Sequence, residues 1–403
     1  MLNNKGRKFD VGYLKDLAHI NKRVVPYING EKLGSFYIKE WDISQNSMFV
    51  KCEASDRLLD FQNLMYEGRM PHKADEKCTF ALLFKQVFES AGKHFVKGIK
   101  YDIDETLEQT LVQTPEQTLE RLEIEPYLPR KSVWDVLQML CDASMSFVYI
   151  DKNDVICVRS ELFERNKGNI KAEINTDNAF GINIPFFADM ETNKVEIPYY
   201  RKVVKTEQEL YRINDFEANE GQDVTVSVEL DKFCEIEKVE CFGIEYKFGQ
   251  NNLTATKDNS DFKYEISFTI NSTVNDKKDL IIYGKEITFE KQVLGAENKD
   301  STKKDALSLY THPDCELIQS ESLANMIAAR LMELYPSGTR SVTSSWRGTE
   351  KLNLLETAEI TGRFGGKSEY SVTQIKNSVD GGFKQELKGI KIKPDNIDKV
   401  GGT

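Results

Sequence analysis

The sequence lacks the motifs that the common enzyme classes require. Its four histidines, His19, His72, His94 and His312, are isolated, and none belongs to an H-E-x-x-H or H-x-H pattern. There is also no C-x-x-C pair, no G-x-S-x-G turn and no G-x-x-x-x-G-K-[ST] loop. These absences predict a protein that is not an enzyme and that has no catalytic, cofactor-binding or metal-binding residues.

Long hydrophobic runs are missing as well. No apolar stretch approaches the roughly 20 residues that a membrane-spanning helix needs. Residues 1–20 contain neither an apolar h-region nor a small-residue cleavage site, so no secretory signal is expected. Charged residues make up 30% and hydrophobic residues 40% of the 403-residue chain, which is typical of folded proteins. This length predicts two to four domains, without stable membrane insertion.

Paired cysteine motifs are absent although the chain has seven cysteines. Their odd number, and the apolar positions of several, predict a reduced, disulfide-free protein with buried thiols. The cysteines are Cys52, Cys78, Cys141, Cys157, Cys234, Cys241 and Cys315. Cys78 with His72 or His94 is the nearest combination for a papain-like pair, and this catalytic alternative stays open beside the structural interpretation.

A basic stripe is the next feature that the chain lacks. The net charge is −11, from 54 basic and 65 acidic residues. This disfavours a nucleic-acid binder, because such proteins displace counterions from phosphates with Lys and Arg. DNA is therefore expected at most to slide past the protein. The acidic stretch from Asp102 to Glu125 is interpreted as a solvated surface, since it lacks the D-x-D-x-D-G spacing of a calcium loop.

The clearest pattern that is present is a helix followed by a hairpin within residues 126–158. Ser132 precedes an apolar run and Asp135 follows three residues later, as at a capped helix N-terminus. Two runs of β-branched and aromatic residues then flank a polar tetrapeptide that begins with Asp151 and ends with Asp154. This arrangement predicts a hairpin in which both aspartates are turn residues.

The predicted fold class is α+β, mostly β, with two barrel-like β domains and an inserted α/β module. Apolar residues recur at helical spacing from Phe80 to Ala91 and from Ile318 to Tyr335, and short alternating runs fill residues 195–290. The predicted domains are a partial N-terminal β-barrel at 1–70, an α/β module of two helices and a hairpin at 71–162, a β-rich domain with a loop insert at 163–310, a helix with hairpins that completes the second barrel at 311–393, and a flexible tail at 394–403.

Four local patterns occur in an order that resembles one protein family. They are Gly34 to Trp41 with Cys52 to Leu58, Phe80 to Gly92 with Tyr101 to Asp104, Pro126 to Val158, and Leu317 to Leu334 with Arg347-Gly348 and Tyr370 to Gly389. Together they resemble the baseplate hub, or tail-tip, proteins of tailed bacteriophages and of phage-tail-like bacteriocins of the Gram-positive type. The order of the patterns carries the resemblance, since each of them alone is unspecific.

The resemblance implies a structural protein that forms a homotrimer at the distal end of a tail and contacts the tail tube, the spike and other baseplate proteins. It implies a location in the virion tail or baseplate, assembly in the bacterial cytoplasm, and DNA that only passes through the lumen. The family's N-terminal half-barrel is incomplete here, so either a separate chain supplies the missing strands or the first barrel is degenerate. Thr349-Glu350 and Leu355-Glu356 depart from the family's turn residues, and that loop is expected to differ.

Two other functions stay open from the sequence. A tail-associated cell-wall hydrolase is the first, although no active-site motif supports it. The second is a module that binds a cell-surface sugar or a protein receptor. Residues 224–290 are the candidate for that module because they are the least patterned part of the chain.

Overall fold

The computed structural model of the chain describes residues 2–3, 21–43, 49–69, 76–109, 111–113, 119–121, 123–161, 170–184, 194–218, 223–230, 233–241, 244–247, 254–255, 265–271, 276–297, 309–334, 341–349, 351–362, 366–379 and 382–392. Within these residues the fold is mostly β with three α-helices. None of these helices has the length and apolarity that crossing a membrane requires. The predicted tail at 394–403, and also His19 and His72, lie outside the described residues.

A four-stranded sheet occupies the N-terminal part of the described chain. The first six strands are β1 (Leu2–Asn3), β2 (Arg23–Val24), β3 (Tyr27–Ile28), β4 (Glu31–Lys32), β5 (Phe36–Ile43) and β6 (Phe49–Ser55). The sheet order is β1-β6-β5-β2, and β3 and β4 form a separate hairpin. Asn29 and Gly30 have φ of 51° and 84°, as a tight hairpin turn requires. The antiparallel pairing of β5 with β6 confirms the hairpin predicted from the sequence.

Two capped helices follow, as predicted. α1 (Phe80–Gly92) begins after the N-cap Thr79, and α2 (Val133–Ser144) begins after Ser132, whose hydroxyl accepts a hydrogen bond from the Asp135 amide at 3.1 Å. The apolar residues predicted to share one face of each helix are buried except Cys141 of α2, which is partly buried. The buried ones are Phe80, Leu83, Phe84, Val87, Phe88 and Ala91 in α1, and Val133, Val136, Leu137 and Leu140 in α2.

Short strands surround these helices. They are β7 (Lys100–Ile103), the pair β8 (Leu111–Gln113) and β9 (Leu119–Arg121), and the hairpin β10 (Ser146–Ile150) and β11 (Val155–Ser160). β11 pairs with β10 antiparallel and with β7 parallel. Asp151 accepts hydrogen bonds from the amides of Asn153 and Val155, both at 2.8 Å, which confirms its predicted role in the turn. Two short 3₁₀-helices, Arg57–Asn63 and Glu105–Glu108, complete this part.

The scattered Asn, Gly and Pro residues of 163–190 predict a loop, but this stretch contains two strands. They are β12 (Ala172–Ile174) and β13 (Ala179–Asn183). β12 pairs with Ala358 to Ile360 and β13 with Thr343 to Trp346, at least 160 residues further along the chain. Strands this short carry little local pattern, so only their distant partners define them.

Two very long strands form a ribbon that we call the arm. β14 (Lys194–Ala218) and β20 (Asp276–Glu297) pair antiparallel, with three register shifts. The short apolar runs at 195–197, 202–204, 280–284 and 286–289 predict four separate strands, and this division is wrong. Much of β14 beyond Val203 is exposed and irregularly paired, so no period-2 pattern marks it.

The part of the arm that pairs with β16 (Cys234–Cys241), around Leu280 to Glu286 of β20, belongs to a small β-sandwich. One layer adds β16 and β17 (Ile244–Lys247) to the arm, and the other consists of β15 (Asp223–Glu229), β18 (Thr254–Ala255) and β19 (Glu265–Asn271). The buried residues between the layers are Val226, Val228, Leu230, Val239, Cys241, Leu280 and Ile282. β21 (Leu309–Thr311) pairs parallel with the first residues of β14.

The C-terminal part forms a six-stranded sheet in the order β12-β23-β24-β25-β22-β13. Its remaining strands are β22 (Ser341–Trp346), β23 (Thr357–Thr361), β24 (Lys367–Val379) and β25 (Phe383–Lys391). This sheet has its own core around Trp346, Tyr370 and Leu387. α3 (Glu321–Leu334) packs elsewhere, because its buried residues join the core of α1 and α2 together with Val195 and Ile197. The predicted domain at 311–393 joins this helix to the C-terminal hairpins, whereas its buried side chains belong to the core of α1 and α2. The two-barrel arrangement and the domain boundaries stay predictions.

Candidate functional site

The residues that suggested catalysis from the sequence are not arranged for it in the described part of the chain. No group of three or more His, Cys, Asp or Glu side chains there is placed to hold a metal ion. Cys78 is buried and its thiol lies 3.6 Å from the Ile124 carbonyl oxygen. Burial raises the pKa of Cys78 to about 12, which keeps the thiol neutral, whereas a nucleophilic cysteine is a thiolate. His94 lies exposed beyond the end of α1.

The acidic stretch contains one carboxylate that supports the fold. Asp104 accepts hydrogen bonds from the amides of Ser160 and Thr106, both at 3.1 Å. Burial by itself would raise the pKa of Asp104, but these hydrogen bonds hold the pKa below its ordinary value. Asp104 therefore fastens the end of β11 to the segment after β7, where the sequence analysis expected only a solvated residue.

Asp154 joins the N-terminal sheet to the α/β module, and we call this contact the joint. Tyr37 on β5 donates a hydrogen bond from its hydroxyl to Asp154 Oδ2 at 2.6 Å. Arg57 Nε donates to the same tyrosine oxygen at 2.8 Å, and its guanidinium lies 4.7 Å from the centre of the Tyr37 ring. Burial, followed by the hydrogen bond to Asp154, raises the pKa of Tyr37, so the phenol stays protonated. Asp154 is a turn residue with φ 68°, as predicted, but its contact with Tyr37 was not foreseen.

Arginine side chains extend the joint to neighbouring loops. Arg57 also donates to the Gly98 carbonyl oxygen at 3.0 Å and lies 5.3 Å from the centre of the Phe95 ring. Its guanidinium and that of Arg23 are 3.8 Å and 3.9 Å from Asp154 Oδ2. The Asp154 side chain is 13% exposed, so these two cations balance a largely buried charge.

A second set of contacts fixes the arm to the module, and we call it the arm root. The rings of Tyr127, Phe233 and Phe289 meet edge to face, with centroids 5.0–6.0 Å apart. Lys202 on β14 pairs with Glu125 at 2.6 Å. The main chain of Glu125 also exchanges two hydrogen bonds with the side chain of Gln319, at 2.7 Å and 3.0 Å. The module, the arm and the segment before α3 are thereby held together at one place.

Ion pairs cover the outer surface of the arm. Arg212 bridges Glu209 and Asp279, at 2.6 Å and 2.8 Å, and Lys238 bridges Glu207 and Glu245 at 3.4 Å and 3.3 Å. Lys238 is partly exposed and the other groups are well exposed, so water and salt screen these pairs and each contributes little to stability. The surface is polar and well solvated, which suits a ribbon that leaves the core of the protein.

Close backbone approach in the arm depends on a glycine. Gly284 pairs with Gln208 on one side and with Ile236 on the other. A Cβ at this position would overlap the carbonyl oxygen of Glu235 and would lie 2.7 Å from Leu210 Cδ1. The register of β16 on β20 is therefore fixed partly by the absence of a side chain at this residue.

No protein-family model and no curated protein matches the chain. Among solved structures it is similar to the tail protein of Neisseria meningitidis MC58, at 10% identity over 92% of this chain and 84% of that one, with a TM-score of 0.48. It is also similar to the 43 kDa tail protein of prophage MuSo2 from Shewanella oneidensis, at 10% identity, 93% and 84% coverage and a TM-score of 0.46. The prophage tail protein gp18 of Listeria monocytogenes EGD-e gives 11% identity, 91% and 78% coverage and a TM-score of 0.43.

These structural neighbours of the chain are phage tail proteins. The hub role and the Gram-positive type stay predictions.

Proposed function

We propose that the chain is a structural, non-enzymatic hub of a phage tail tip or baseplate. The observation that carries the proposal is the order of its elements. The four hub-like patterns coincide with β5, β6 and the following 3₁₀-helix, with α1 and β7, with α2 and its hairpin, and with α3 followed by β24 and β25, in that order along the chain.

The contacts between the parts of the chain suit a subunit that transmits mechanical force. The joint at Asp154 fixes the N-terminal sheet, and the arm root at Tyr127 fixes the arm. Both combine packed aromatic rings with hydrogen bonds between residues that are more than 70 residues apart in sequence. A subunit that transmits force between a tube and a spike needs such fixed connections.

The proposed particle context follows from the same resemblance. The chain would form a homotrimer in the virion tail or baseplate, assembled in the bacterial cytoplasm, and would contact the tail tube, the spike and other baseplate proteins. Either a separate chain would complete the N-terminal barrel, or that barrel would be degenerate. The net charge of −11 favours a lumen that lets DNA pass without trapping it.

Size-exclusion chromatography with light scattering tests the proposed assembly. The full-length protein is measured alone and mixed with the tube and spike proteins of the same particle. We expect a mass three times the 46.2 kDa of one chain, and co-elution with a tube or spike protein. A stable 46.2 kDa monomer that joins neither partner would contradict the proposal.

Binding to the host surface is a second candidate function, favoured by one observation. The sandwich of β15 to β19 has a core separate from the other two cores of the described residues. Val204 and Ile287 are paired across the arm, so an Asn-Gly turn that replaces residues 205–286 would close the hairpin there. The variant loses Phe233 from the arm root but keeps the contact of Tyr127 with Phe289. Loss of cell-wall binding in that variant, with its assembly unchanged, supports this function, and equal binding by the full chain and the variant contradicts it.

A further inference from the structure

His312 connects the arm to the C-terminal end of α2. Its amide donates a hydrogen bond to the Glu196 carbonyl oxygen on β14 at 2.9 Å. Its ring is 7% exposed, and Nε2 lies 2.9 Å from the carbonyl oxygen of Asp142 in the last turn of α2. The last carbonyls of a helix have no partner within it, so the ring satisfies one of them. Nearby, the Cys315 thiol lies 3.2 Å from the Met139 carbonyl oxygen of the same helix.

The hydrogen bonding of the ring defines its protonation state. Because Nε2 faces a carbonyl oxygen, it must carry the hydrogen and donate it. Nδ1 of His312 then carries the lone pair, and this atom is buried without a hydrogen-bond partner. Protonation would place a second N–H and a positive charge at a buried position that offers no acceptor, which is costly.

The charged groups around the His312 ring offset the free-energy cost of its protonation only in part. Asp142 is the charged group that favours the cation, and burial, the larger effect, holds the pKa of His312 below its ordinary value of 6.5. Burial raises the pKa of Cys315 to about 12 and raises that of Cys141 further, so both thiols are neutral. Other titratable groups on the adjoining segments are the Tyr310 ring at 6.4 Å, Glu196, which pairs with Lys194 at 3.3 Å, and Asp314, which pairs with Lys291 at 2.7 Å. Glu316 lies on the same segment, next to Cys315.

We propose that His312 is a pH-sensitive latch, which holds the first residues of the arm against α2 while the ring is neutral and releases them when the ring is protonated. The released state binds more protons than the closed state, because burial disfavours the cation only when the latch is closed. The stability of the latch is therefore complete above pH 6.5, and it is lost as the pH falls through the lowered pKa of the closed state. Asp142 works in the opposite sense, since burial raises its pKa above 3.8, and its contribution to stability falls as the pH rises.

Hydrogen exchange of the full-length protein at about pH 7.5 and about pH 5, corrected for the intrinsic rates, tests the latch across the range in which histidine titrates. We expect residues 309–318 and 139–145 to lose protection at the lower pH while α1 keeps it. His312→Gln keeps an N–H donor but cannot titrate, so its protection should not change with pH. His94→Gln, at an exposed histidine, should behave as the wild type does.

Two results would overturn the latch. One is wild-type protection of residues 309–318 that does not change with pH, and the other is an equal loss of protection in His312→Gln. If that variant does not fold, the midpoint of the wild-type change decides the question. A midpoint below 6.5 that persists in Asp142→Asn, at the same or a lower pH, supports the latch, because Asp142 favours the cation. A midpoint that disappears in Asp142→Asn overturns it.

Discussion

Gly284→Ala is expected to break the pairing of β16 with the arm. The new Cβ would overlap the Glu235 carbonyl oxygen and would lie 3.0 Å from Ile236 Cα. Both are main-chain atoms of β16, so relief requires the strand to move rather than a side chain to rotate. Overpacking in a well-packed region costs about 1–3 kcal/mol, and a backbone clash belongs at the upper end of that range.

Hydrogen exchange of the amides of β16, residues 234–241, measures this effect locally. A loss of about 1–3 kcal/mol corresponds to exchange that is faster by roughly 5- to 160-fold. Gly295→Ala on the same strand is the matched control, because its Cβ would meet only Lys194 Cε at 3.9 Å. If Gly284→Ala leaves exchange in β16 unchanged, or if both substitutions act equally, the close approach at Gly284 is not what fixes the register.

Three further substitutions test other parts of the fold. Leu137→Asp places an unpaired charge at a position that is 1% exposed, at a cost of more than about 4 kcal/mol. It should therefore unfold the α/β module, which circular dichroism measures. The control Leu82→Asp, at a position that is 40% exposed, should leave the module folded. Tyr37→Phe removes the hydrogen bond to Asp154 and should lower the free energy of unfolding in urea by about 1–2 kcal/mol. Ser132→Ala removes the N-cap of α2 and should cost about 1 kcal/mol in the same assay; no change in either variant would contradict the contact concerned.

The parts of the fold that the sequence predicted are those with local signals. α2 was predicted from Ser132 and the apolar spacing that follows it, because a cap and a helical period act within one turn of the chain. The hairpin after α2 was predicted from its polar turn, in which Asp151 forms the expected hydrogen bonds. The burial of Phe84 and Leu137 followed from their positions on the apolar faces.

The parts that were missed depend on partners far away in the sequence. β12 is three residues long, and only its pairing with Ala358 to Ile360 makes it a strand. The arm lacks an alternating pattern because much of β14 is exposed and its pairing shifts register three times. The joint pairs Asp154 with Tyr37 across 117 positions, and a turn aspartate gives no local sign of such a contact.

The central claim, that the chain is a component of a phage tail tip, is tested most directly by electron microscopy of the native particle. The chain would carry a label at its N-terminus, and the labelled particles would be imaged intact. The account predicts label only at the distal end of the tail, in a number consistent with three copies. Label along the tube or on a capsid, or intact particles without the protein, would contradict it.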